Sequence, residues 1–478
     1  MTKPFYITTT LPYVNAEPHI GHAMEFIRAD IIARWKRTQG YEVFFNTGTD
    51  EHGTKIFEAA KKIGQEPQMY VDEAAKKFQA LIPLLNLSEP NFIRTTNPHH
   101  IKAAIEFWKI CAKNDYIYKN SYKLKYCVGC ELEKTDSELE GGKCPLHPTR
   151  EIEEIEEENY FFKFSEFQKP LLALYEQRLG FVVPAERFKE IKLFVARGLQ
   201  DFSISRLKEK MPWGIAVPDD SEHVMYVWFD ALVNYISAIG WPDDVEKFKK
   251  WQVESGGMVQ YCGKDNLRQQ SAMWQAMLLA AKLPPSRQIV IDGFVTGEGG
   301  VKMSKSLGNV VSPVEIVKEY GTDALRYFVT RELHPFEDSP FTMERFKNAY
   351  NANLANGLGN LVSRIMKMSS QFINTPVDVS DVRSMPEVKS AIEDFDLKKA
   401  MDSLFYYVSD LDGQIQESKP FQLIKTNKIA AKKQITFLAK ELYRIAENLN
   451  SFMPETSKKI QELVKENKMP EKPLFPRK

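Results

Sequence analysis

The sequence has few of the features that mark secreted, membrane or disordered proteins. Among its 478 residues, 64 basic and 64 acidic side chains cancel to a formal net charge of zero, so no overall field favours a polyanionic partner. Five cysteines are too few for a disulfide scaffold of this length. No apolar run approaches the roughly 18 residues of a membrane helix, and the opening MTKPFYITTT resembles a strand, not a signal peptide. We therefore expect a cytoplasmic protein with no membrane partner.

The charge is nevertheless uneven along the chain. The stretch from Lys419 to Lys478 has 14 Lys or Arg against 6 Asp or Glu. A nucleic-acid partner and a solvated helical face explain this surplus about equally well. The 43% hydrophobic content indicates a globular chain, and its length predicts about three domains.

An α/β pattern opens the chain, is interrupted and then returns. Phe5 to Thr9 is apolar and β-branched, helical spacing runs from Met24 to Trp35, and Val43 to Phe45 is a second apolar run. This βαβ pattern predicts a parallel sheet with its ligand crevice at the carboxyl ends of the strands. A segment rich in Cys and Glu begins near residue 116, and the α/β pattern resumes after Tyr226. The last third consists mainly of helix formers and predicts a helical bundle.

Two histidines flank a glycine where the first loop meets the first helix. In LPYVNAEPHIGH, His19 and His22 lie at a helix start, whose unpaired N–H groups and dipole favour a phosphate. Their imidazoles could donate to oxygens that gain charge as phosphorus is attacked, and Gly21 would let a nucleotide approach the backbone. Histidines at this spacing also serve as helix caps or surface residues, so this motif alone leaves both interpretations open.

A second motif, GEGGVKMSKSLGN, joins a glycine-rich loop to Lys302 and Lys305. Two ammonium groups so placed could clamp a triphosphate and neutralise a leaving pyrophosphate. An ordinary polar surface loop is the alternative. The presence of both motifs in one α/β chain, in this order, argues against coincidence.

Three of the five cysteines form a module with a histidine. The spacing is C-x2-C, thirteen residues, then C-x2-H, and its members are Cys127, Cys130, Cys144 and His147. Two close pairs of such ligands suit tetrahedral zinc, and with four protein ligands the site would be structural. Reduced thiols without a metal are the alternative.

Together these motifs resemble the class I aminoacyl-tRNA synthetases, whose signatures are matched by HIGH at His19 to His22 and by KMSKS at Lys302 to Ser306. Within that class the chain is similar to the methionyl-tRNA synthetases, because LPYVNAEPHIGH, GTDEHG, the cysteine module, YVWFDA and GKD follow in that family's order. The resemblance implies an ATP-dependent ligase, working with Mg²⁺ and one structural Zn²⁺. It would activate methionine to methionyl-adenylate and then transfer it to tRNA(Met).

The resemblance also implies roles for residues of the small-molecule site. It assigns methionine binding to a set of apolar, aromatic and polar side chains, namely Leu11, Tyr13, Asp50, Trp228, Tyr235 and Gln270. A carboxylate there would pair with the substrate ammonium while aromatic groups enclose the thioether. It assigns ATP binding to Gly21, Asp265 and Ser304, with Asp265 accepting from the ribose hydroxyls, and catalysis to His19, His22, Lys302 and Lys305.

Two positions depart from the family pattern. Gln269 and Gln270 stand where the family usually has a Phe-His pair, and that histidine belongs to the methionine pocket. We treat Gln270 as a tolerated variation, because an amide can still hydrogen-bond a thioether or an ordered water. Asp292 stands where the family tends to have histidine, and the sequence offers no account of it.

In the helical third, NANLANGLGNLVSR resembles the family's anticodon-reading helix. It places Asn360 and Arg364 four residues apart on one face, where they could read the edges of unstacked bases. Helix capping or helix pairing is the alternative. Phe421, in Lys-Pro-Phe, matches a family position that stacks on a base.

The predicted architecture is therefore a Rossmann-like α/β catalytic domain interrupted by a zinc-binding connective insertion and followed by an all-α anticodon-binding bundle. We expect these parts at residues 1–115, 116–225 (the insertion), 226–300, 301–344 (the KMSKS loop and stem-contact region) and 345–478. We also expect a monomer, since no further C-terminal domain fits in the sequence. The rivals are a class I synthetase for another amino acid and a catalytically silent tRNA-binding paralogue.

Overall fold

The computed structural model describes residues 2–130, 132–134, 138–301, 303, 310–380 and 384–478. Its strands are β1 (Pro4–Thr9), β2 (Glu42–Thr49), β3 (Asn91–Arg94), β4 (Ile117–Cys127), β5 (Leu132–Lys134), β6 (Glu153–Phe162), β7 (Val182–Val183), β8 (Phe202–Ser203), β9 (Ser205–Leu207), β10 (Ala216–Val217), β11 (Asp220–Met225), β12 (Val259–Gly263), β13 (Gln288–Asp292), β14 (Val295–Thr296) and β15 (Ser339–Pro340).

The α-helices are α1 (Ile20–Thr38), α2 (Thr54–Lys62), α3 (Pro67–Gln79), α4 (Leu81–Leu84), α5 (Pro98–Lys113), α6 (Gln168–Gln177), α7 (Ala185–Ala196), α8 (Val227–Leu232), α9 (Asn234–Ser237), α10 (Val245–Phe248), α11 (Trp274–Ala280), α12 (Pro313–Tyr320), α13 (Thr322–Tyr327), α14 (Met343–Ala349), α15 (Asn360–Phe372), α16 (Pro386–Glu393), α17 (Leu397–Ser418), α18 (Pro420–Thr426), α19 (Lys428–Leu449) and α20 (Pro454–Glu466). Wider π-helical turns occupy Lys249–Glu254, Gln269–Met273, Phe328–Glu332 and Tyr350–Gly359.

The central element is a six-stranded sheet with the order β3-β2-β1-β12-β13-β7. The pairs β1–β2, β2–β3, β1–β12 and β7–β13 are parallel, with Ile7 opposite both Phe45 and Val259. Both faces of β1 are buried, as its run of apolar and β-branched residues predicts. The predicted parallel α/β core is therefore confirmed.

An antiparallel region separates β3 from β12 in the sequence. Strands β4 and β6 form a long hairpin, paired from Ile117 opposite Phe162 to Tyr126 opposite Glu153, within a sheet of order β5-β4-β6-β8. A three-stranded sheet of order β10-β11-β9 follows. The break in the α/β pattern near residue 116 thus corresponds to a change from parallel to antiparallel pairing.

The chain forms two compact units. The first comprises Met1–Glu17, Tyr41–Ala80 and Pro90–Ile291, and the second comprises Pro18–Gly40, Leu81–Glu89 and Asp292–Lys478. The first unit contains the parallel sheet and the antiparallel region. Helix α1 belongs to the second unit, together with the segments that flank the KMSKS motif.

The second unit is mainly helical, as the sequence predicts. Helix α19 packs against α15, α17, α18 and α20. The buried residues of α17 recur at spacings of three and four, which gives the helix one apolar face: Leu397, Met401, Leu404, Val408, Leu411 and Ile415. Within the described part of the chain, none of the helices combines the length and hydropathy needed to cross a bilayer.

Candidate active site

Tyr13 and Asp50 lie side by side at one edge of the parallel sheet. Tyr13 follows β1, Asp50 follows β2, and the two residues form an isolated parallel bridge. The Asp50 N–H donates to the Pro12 carbonyl at 2.9 Å, and the Val14 N–H donates to the Asp50 carbonyl at 3.2 Å. Leu11 precedes Pro12 in the same loop. The structure therefore brings the first three predicted methionine-binding residues to the carboxyl ends of adjacent strands, where α/β sheets bind ligands.

An aromatic wall stands beside Tyr13. Tyr13 and Trp228 both pack against a cluster formed by Tyr126, Tyr226 and Val227. Helix α8 begins at Val227, a member of this cluster, and carries Trp228 in its first turn. The indole nitrogen of Trp228 is buried and has no hydrogen-bond partner among the described residues. The wall thus joins an apolar surface to one unsatisfied donor, as a ligand site requires.

Gly53, the last residue of GTDEHG, makes room for Tyr13. Its φ is 111°, a conformation that residues with side chains rarely adopt. A Cβ atom at this position would lie 2.6 Å from the hydroxyl oxygen of Tyr13. Glycine is therefore required here both by the backbone and by the neighbouring ring.

Sequence reasoning missed Arg206. Its guanidinium is 6% exposed, stacks on the rings of Tyr126 and Tyr226 at 5.2 and 4.6 Å, and donates to the Ser203 hydroxyl at 2.6 Å. A buried cation beside the aromatic wall is a candidate for binding a substrate carboxylate. A single Arg within the short strand β9 forms no sequence motif, so only the fold reveals it.

The Glu51 carboxylate anchors the chain next to Asp50. It is fully buried and accepts from Arg94 through two hydrogen bonds of 2.7 and 2.8 Å. The hydroxyls of Thr49 and Thr96 also donate to it, and the Trp213 indole donates to its backbone carbonyl at 2.6 Å. These contacts hold the backbone that presents Asp50.

A second buried carboxylate lies between two histidines. Asp230, from YVWFDA, contacts His52 at 2.6 Å and His100 at 2.8 Å, and all three side chains are nearly or fully buried. Burial by itself raises the pKa of Asp230, but the charges and hydrogen bonds of His52 and His100 outweigh it and lower that pKa to about 2. The ionised Asp230 carboxylate therefore connects the YVWFDA segment to His52 of the GTDEHG segment.

Tyr235 and Gln270 form a buried pair. Tyr235 is 2% exposed on α9, and Gln270 is 1% exposed in the π-helical turn before α11. The Gln270 side-chain amide donates to the Tyr235 hydroxyl at 2.8 Å. Gln270, at the position of the family's pocket histidine, is thus hydrogen-bonded to a predicted member of the methionine wall.

Asp265 follows β12 in a short 3₁₀ turn, Lys264–Asn266. Its side chain is exposed, and Asn266 donates to it at 3.1 Å. The carboxyl end of a central parallel strand is where a nucleotide ribose is commonly bound, so its position suits the predicted role.

In the second unit, the HIGH histidines cap the start of α1. The His22 Nδ1 atom accepts the His19 N–H at 3.2 Å, the His19 Nδ1 atom accepts the Gly21 N–H at 3.1 Å, and the two rings stack at 3.7 Å. Burial lowers the pKa of His19 to about 4 and that of His22 well below its usual value. Both rings are therefore neutral at pH 7, and the proton is on Nε2 because Nδ1 accepts. The capping and catalytic interpretations of the motif are compatible.

Helix α1 is also joined to the segment that follows the KMSKS motif. The Ile20 N–H donates to the Val311 carbonyl at 3.0 Å. Before the motif, Gly299 and Gly300 have φ values of 69° and 78°. The predicted site residues Lys302, Ser304 and Lys305 lie outside the described residues.

Asp292 has a structural explanation. Its carboxylate, 1% exposed, lies 3.0 Å from the Arg28 guanidinium of α1, which is fully buried. Arg28 also donates to the carbonyls of Val329 and Leu333 at 2.8 and 3.1 Å. A buried guanidinium needs a compensating anion, which the family's usual histidine would not supply.

The four predicted metal ligands come together between β4 and β6. The ligand atoms of Cys127, Cys130, Cys144 and His147 all lie within 4.8 Å of one another. The Cys130 sulfur is 3.4 Å from that of Cys144 and 3.2 Å from the His147 Nδ1 atom. A Cβ on Gly129 would lie 2.3 Å from the His147 ring, so glycine is required between the first two cysteines. This donor set and its spacing fit tetrahedral zinc.

The predicted RNA-reading residues lie on the helices of the second unit. Asn360 is exposed at the start of α15, and Phe421, at the start of α18, is 45% exposed. Arg364, also on α15, forms an ion pair with Asp412 of α17 in which both side chains are about one-third exposed. The ion pair with Asp412 supports the helix-pairing interpretation of Arg364. The exposed third of the Arg364 side chain is still accessible to RNA.

Known proteins of one family are similar to this chain over most of its length. The family model described as tRNA synthetases class I (M) matches residues 5–156 and 138–366. The methionine–tRNA ligase of Brucella suis is 37% identical over 97% of this chain and 92% of its own length, and that of Thermotoga maritima is 38% identical over 95% and 74%. The chain belongs to the methionine–tRNA ligase family of class I tRNA synthetases.

A solved member of this family has the same fold. The methionyl-tRNA synthetase of Mycobacterium tuberculosis in complex with methionyl-adenylate matches with a TM-score of 0.90 and 32% identity, over 100% of both chains. The predicted family and fold class are therefore confirmed. The division into five parts and the role of each site residue stay predictions.

Proposed function

We propose that this chain is a methionine–tRNA ligase that acts in two steps. A carboxylate oxygen of methionine attacks the α-phosphorus of ATP, which forms methionyl-adenylate and releases pyrophosphate. A terminal ribose hydroxyl of tRNA(Met) then attacks the acyl carbon, and AMP leaves. The main support is a full-length likeness to an enzyme whose solved structure holds methionyl-adenylate, together with the bridge that places Tyr13 beside Asp50.

On the amino-acid side, Asp50 pairs with the substrate ammonium. Leu11, Tyr13 and Trp228 enclose the apolar part of methionine, and Tyr235 with Gln270 faces its thioether. The position of Asp50 beside Tyr13, at the carboxyl ends of β1 and β2, supports this assignment.

On the nucleotide side, His19 and His22 donate from Nε2 to phosphate oxygens of the transition state, and Gly21 allows close approach. Their neutral state supports this role, because a neutral imidazole whose Nδ1 accepts a hydrogen bond carries its one N–H on Nε2. Asp265 and Ser304 bind ATP, which is used with Mg²⁺. Lys302 and Lys305 stabilise the charge that develops on the leaving pyrophosphate.

Asn360, Arg364 and Phe421 read the anticodon. Asn360 and Phe421 are exposed and the Arg364 side chain is about one-third exposed, which supports this assignment, since single-stranded RNA is bound by accessible polar edges and ring faces. A cytoplasmic location, a monomeric state and the five-part domain division are parts of the same proposal.

Amino-acid-dependent ATP–pyrophosphate exchange tests the activation step without tRNA. We expect exchange with methionine alone among the twenty amino acids. Exchange with a different amino acid would retain the reaction and change the specificity. No exchange with any amino acid would favour the silent tRNA-binding paralogue.

Cys127, Cys130, Cys144 and His147 would hold zinc as a structural ion that links the end of β4 to the segment connecting it with β6. We expect about one zinc per chain by elemental analysis. Cys144→Ala should abolish zinc binding, whereas Cys111→Ala, at a buried cysteine outside the cluster, should leave it intact. A folded wild-type chain free of metal would contradict the assignment.

A further inference from the structure

The side chain of Lys55 connects the cysteine module to the aromatic wall. Lys55 is the second residue of α2, and its Nζ atom donates to the Gly129 carbonyl at 2.9 Å. The same Nζ atom lies 5.7 Å from the centroid of the Tyr13 ring. Gly129 stands between Cys127 and Cys130, two of the proposed zinc ligands, and Tyr13 is a proposed methionine-binding residue. One ammonium group therefore contacts both sites.

The backbone that carries Lys55 is held on both sides. The N–H of Gly53, the residue before α2, donates to the Trp213 carbonyl at 3.1 Å. Gly53 also packs so closely on Tyr13 that a Cβ atom would lie 2.6 Å from the Tyr13 hydroxyl oxygen. Ile56, directly after Lys55, is fully buried. Because the start of α2 is fixed, the position of the Lys55 ammonium depends mainly on the groups at its tip.

The carbonyl that receives this hydrogen bond lies in a turn of the cysteine module. Tyr126 belongs to β4 and is paired with Glu153 of β6, so the sheet holds it in place. Val128 and Gly129 instead follow the end of β4 and form the turn between the first two cysteines. A Cβ atom on Gly129 would lie 2.3 Å from the His147 ring, so this turn packs directly on a proposed zinc ligand. The position of the Gly129 carbonyl therefore depends on how the ligands are gathered.

We propose that Lys55 is a positioning residue that couples zinc binding to methionine binding. The cysteines that would bind zinc hold the turn of Gly129, the Gly129 carbonyl holds the Lys55 ammonium, and the ammonium holds the Tyr13 ring through a cation–π contact. Zinc and methionine thus favour the same position of Tyr13. This inference rests on the proposed function and on the zinc assignment made with it.

Such a coupling acts in both directions. If zinc raises the affinity of the chain for methionine by some factor, methionine raises its affinity for zinc by the same factor. The coupling depends on one hydrogen bond from a charged group that is only partly buried, so we expect a factor of about 5–10. The effect of methionine on zinc affinity can be measured without ATP, tRNA or turnover.

The first measurement is competition for zinc between the full chain and a coloured chelator of known affinity. Saturating methionine should raise the zinc affinity of the wild type by about 5–10-fold. In Lys55→Met, which keeps much of the stem and removes the ammonium, the increase should fall below about twofold. Lys55→Arg retains a charged donor and should keep part of the increase. Lys61→Met is the matched control, because Lys61 is an exposed lysine of the same helix, and it should behave as the wild type.

The second measurement is pyrophosphate exchange by the zinc-loaded chain. Lys55→Met should raise the KM for methionine by about 3–10-fold, because Tyr13 is less well held. The KM for ATP and kcat at saturating methionine should change less than about twofold, since Lys55 is not assigned a contact with ATP or with the reacting atoms. A general loss of structure would lower kcat as well and would leave no effect of methionine on zinc affinity to be restored by Lys55→Arg.

A wild-type chain that exchanges pyrophosphate with methionine, yet has the same zinc affinity with and without methionine, would overturn the coupling and leave the proposed function standing. An increase in Lys55→Met equal to that of the wild type would also overturn it, because the coupling would then run through other contacts. A wild-type chain without methionine-dependent exchange would refute the proposed function, and the coupling with it.

Discussion

Asp230, Glu51 and Gln270, near the proposed methionine site in the first unit, are buried, and each is held by several short hydrogen bonds. Asn360, Arg364 and Phe421 in the second unit are instead exposed or partly exposed on helices, and Arg364 has one ion-pair partner. The two regions thus contain similar polar groups in very different surroundings.

The difference corresponds to what each region would select. A small substrate is distinguished from near isosteres by few contacts, so the groups that make them need fixed directions and little water. An RNA loop offers a large surface and brings its own bases into contact, so accessible side chains suffice. Buried polar side chains therefore indicate a site whose substrate-selecting groups are fixed before binding. Exposed polar side chains indicate a surface where the bound RNA completes the contacts.

The largest expected effect is a loss of stability when a buried carboxylate of the first unit is removed. Asp230→Ala leaves His52 and His100 without their shared carboxylate and should lower the free energy of unfolding by about 3–5 kcal/mol. Urea unfolding of the full chain measures it. Asp243→Ala is the control, because Asp243 is about half exposed and pairs with the exposed Lys102, so the loss should stay below about 1 kcal/mol. An equal loss of unfolding free energy in Asp230→Ala and Asp243→Ala would contradict the expected difference between buried and exposed carboxylates.

Lys305→Ala tests a group whose proposed contribution is confined to the transition state. We expect adenylate formation to slow by about 100–1000-fold, the usual cost of removing one stabilising donor from developing charge. Methionine affinity should stay nearly unchanged. Single-turnover kinetics and equilibrium binding separate the two quantities, and a parallel loss of both would refute the transition-state role.

On the exposed side, Arg364→Ala should reduce discrimination between tRNA(Met) and a transcript with an altered anticodon by about tenfold, as for one lost base contact. Pyrophosphate exchange should not change, since it does not involve tRNA. Arg444→Ala is the control, because Arg444 is about one-quarter exposed and pairs with Glu441 on α19. If Arg364→Ala left anticodon preference intact, its role would be structural.

The smallest effect concerns pH. Because burial lowers the pKa of His19 to about 4, its ring stays neutral from pH 8 down to about 5.5. The ratio of exchange rates between the wild type and His19→Gln should therefore be constant over that interval. A ratio that falls about tenfold would indicate a histidine with an ordinary pKa of about 6.5.

The same pKa shift makes a prediction for stability. Between about pH 6.5 and pH 4 the unfolded His19 binds a proton that the folded residue does not. The free energy of unfolding should fall as the pH drops through this range, and it should fall less in His19→Gln. Urea unfolding at several pH values measures this difference.

Much of the molecule could be predicted from local patterns. HIGH and KMSKS indicated the class, the apolar runs in β1 and β2 indicated a parallel sheet, and the spacing of Cys127 to His147 indicated a compact ligand set. These features depend on residues close together in the chain, so short-range periodicity and spacing contain the information.

Other features could not be predicted because they join residues far apart in the chain. Asp292 compensates the charge of the buried Arg28. The Arg206 guanidinium contacts the rings of Tyr126 and Tyr226 only after folding. The ion-pair partner of Arg364 lies on another helix. Local pattern contains no information about such pairs.

By itself, then, the sequence determined the family and the order of sheet, insertion and helical bundle, and it predicted which residues bind the substrates, because each of these depends on contiguous motifs. Only the tertiary structure decided the state of those residues. The neutral form of His19, the ionised form of Asp230 and the direction of the Gln270 amide follow from burial and from hydrogen bonds made by distant parts of the chain. Such properties arise from the removal of water around a group, which happens only when the chain folds.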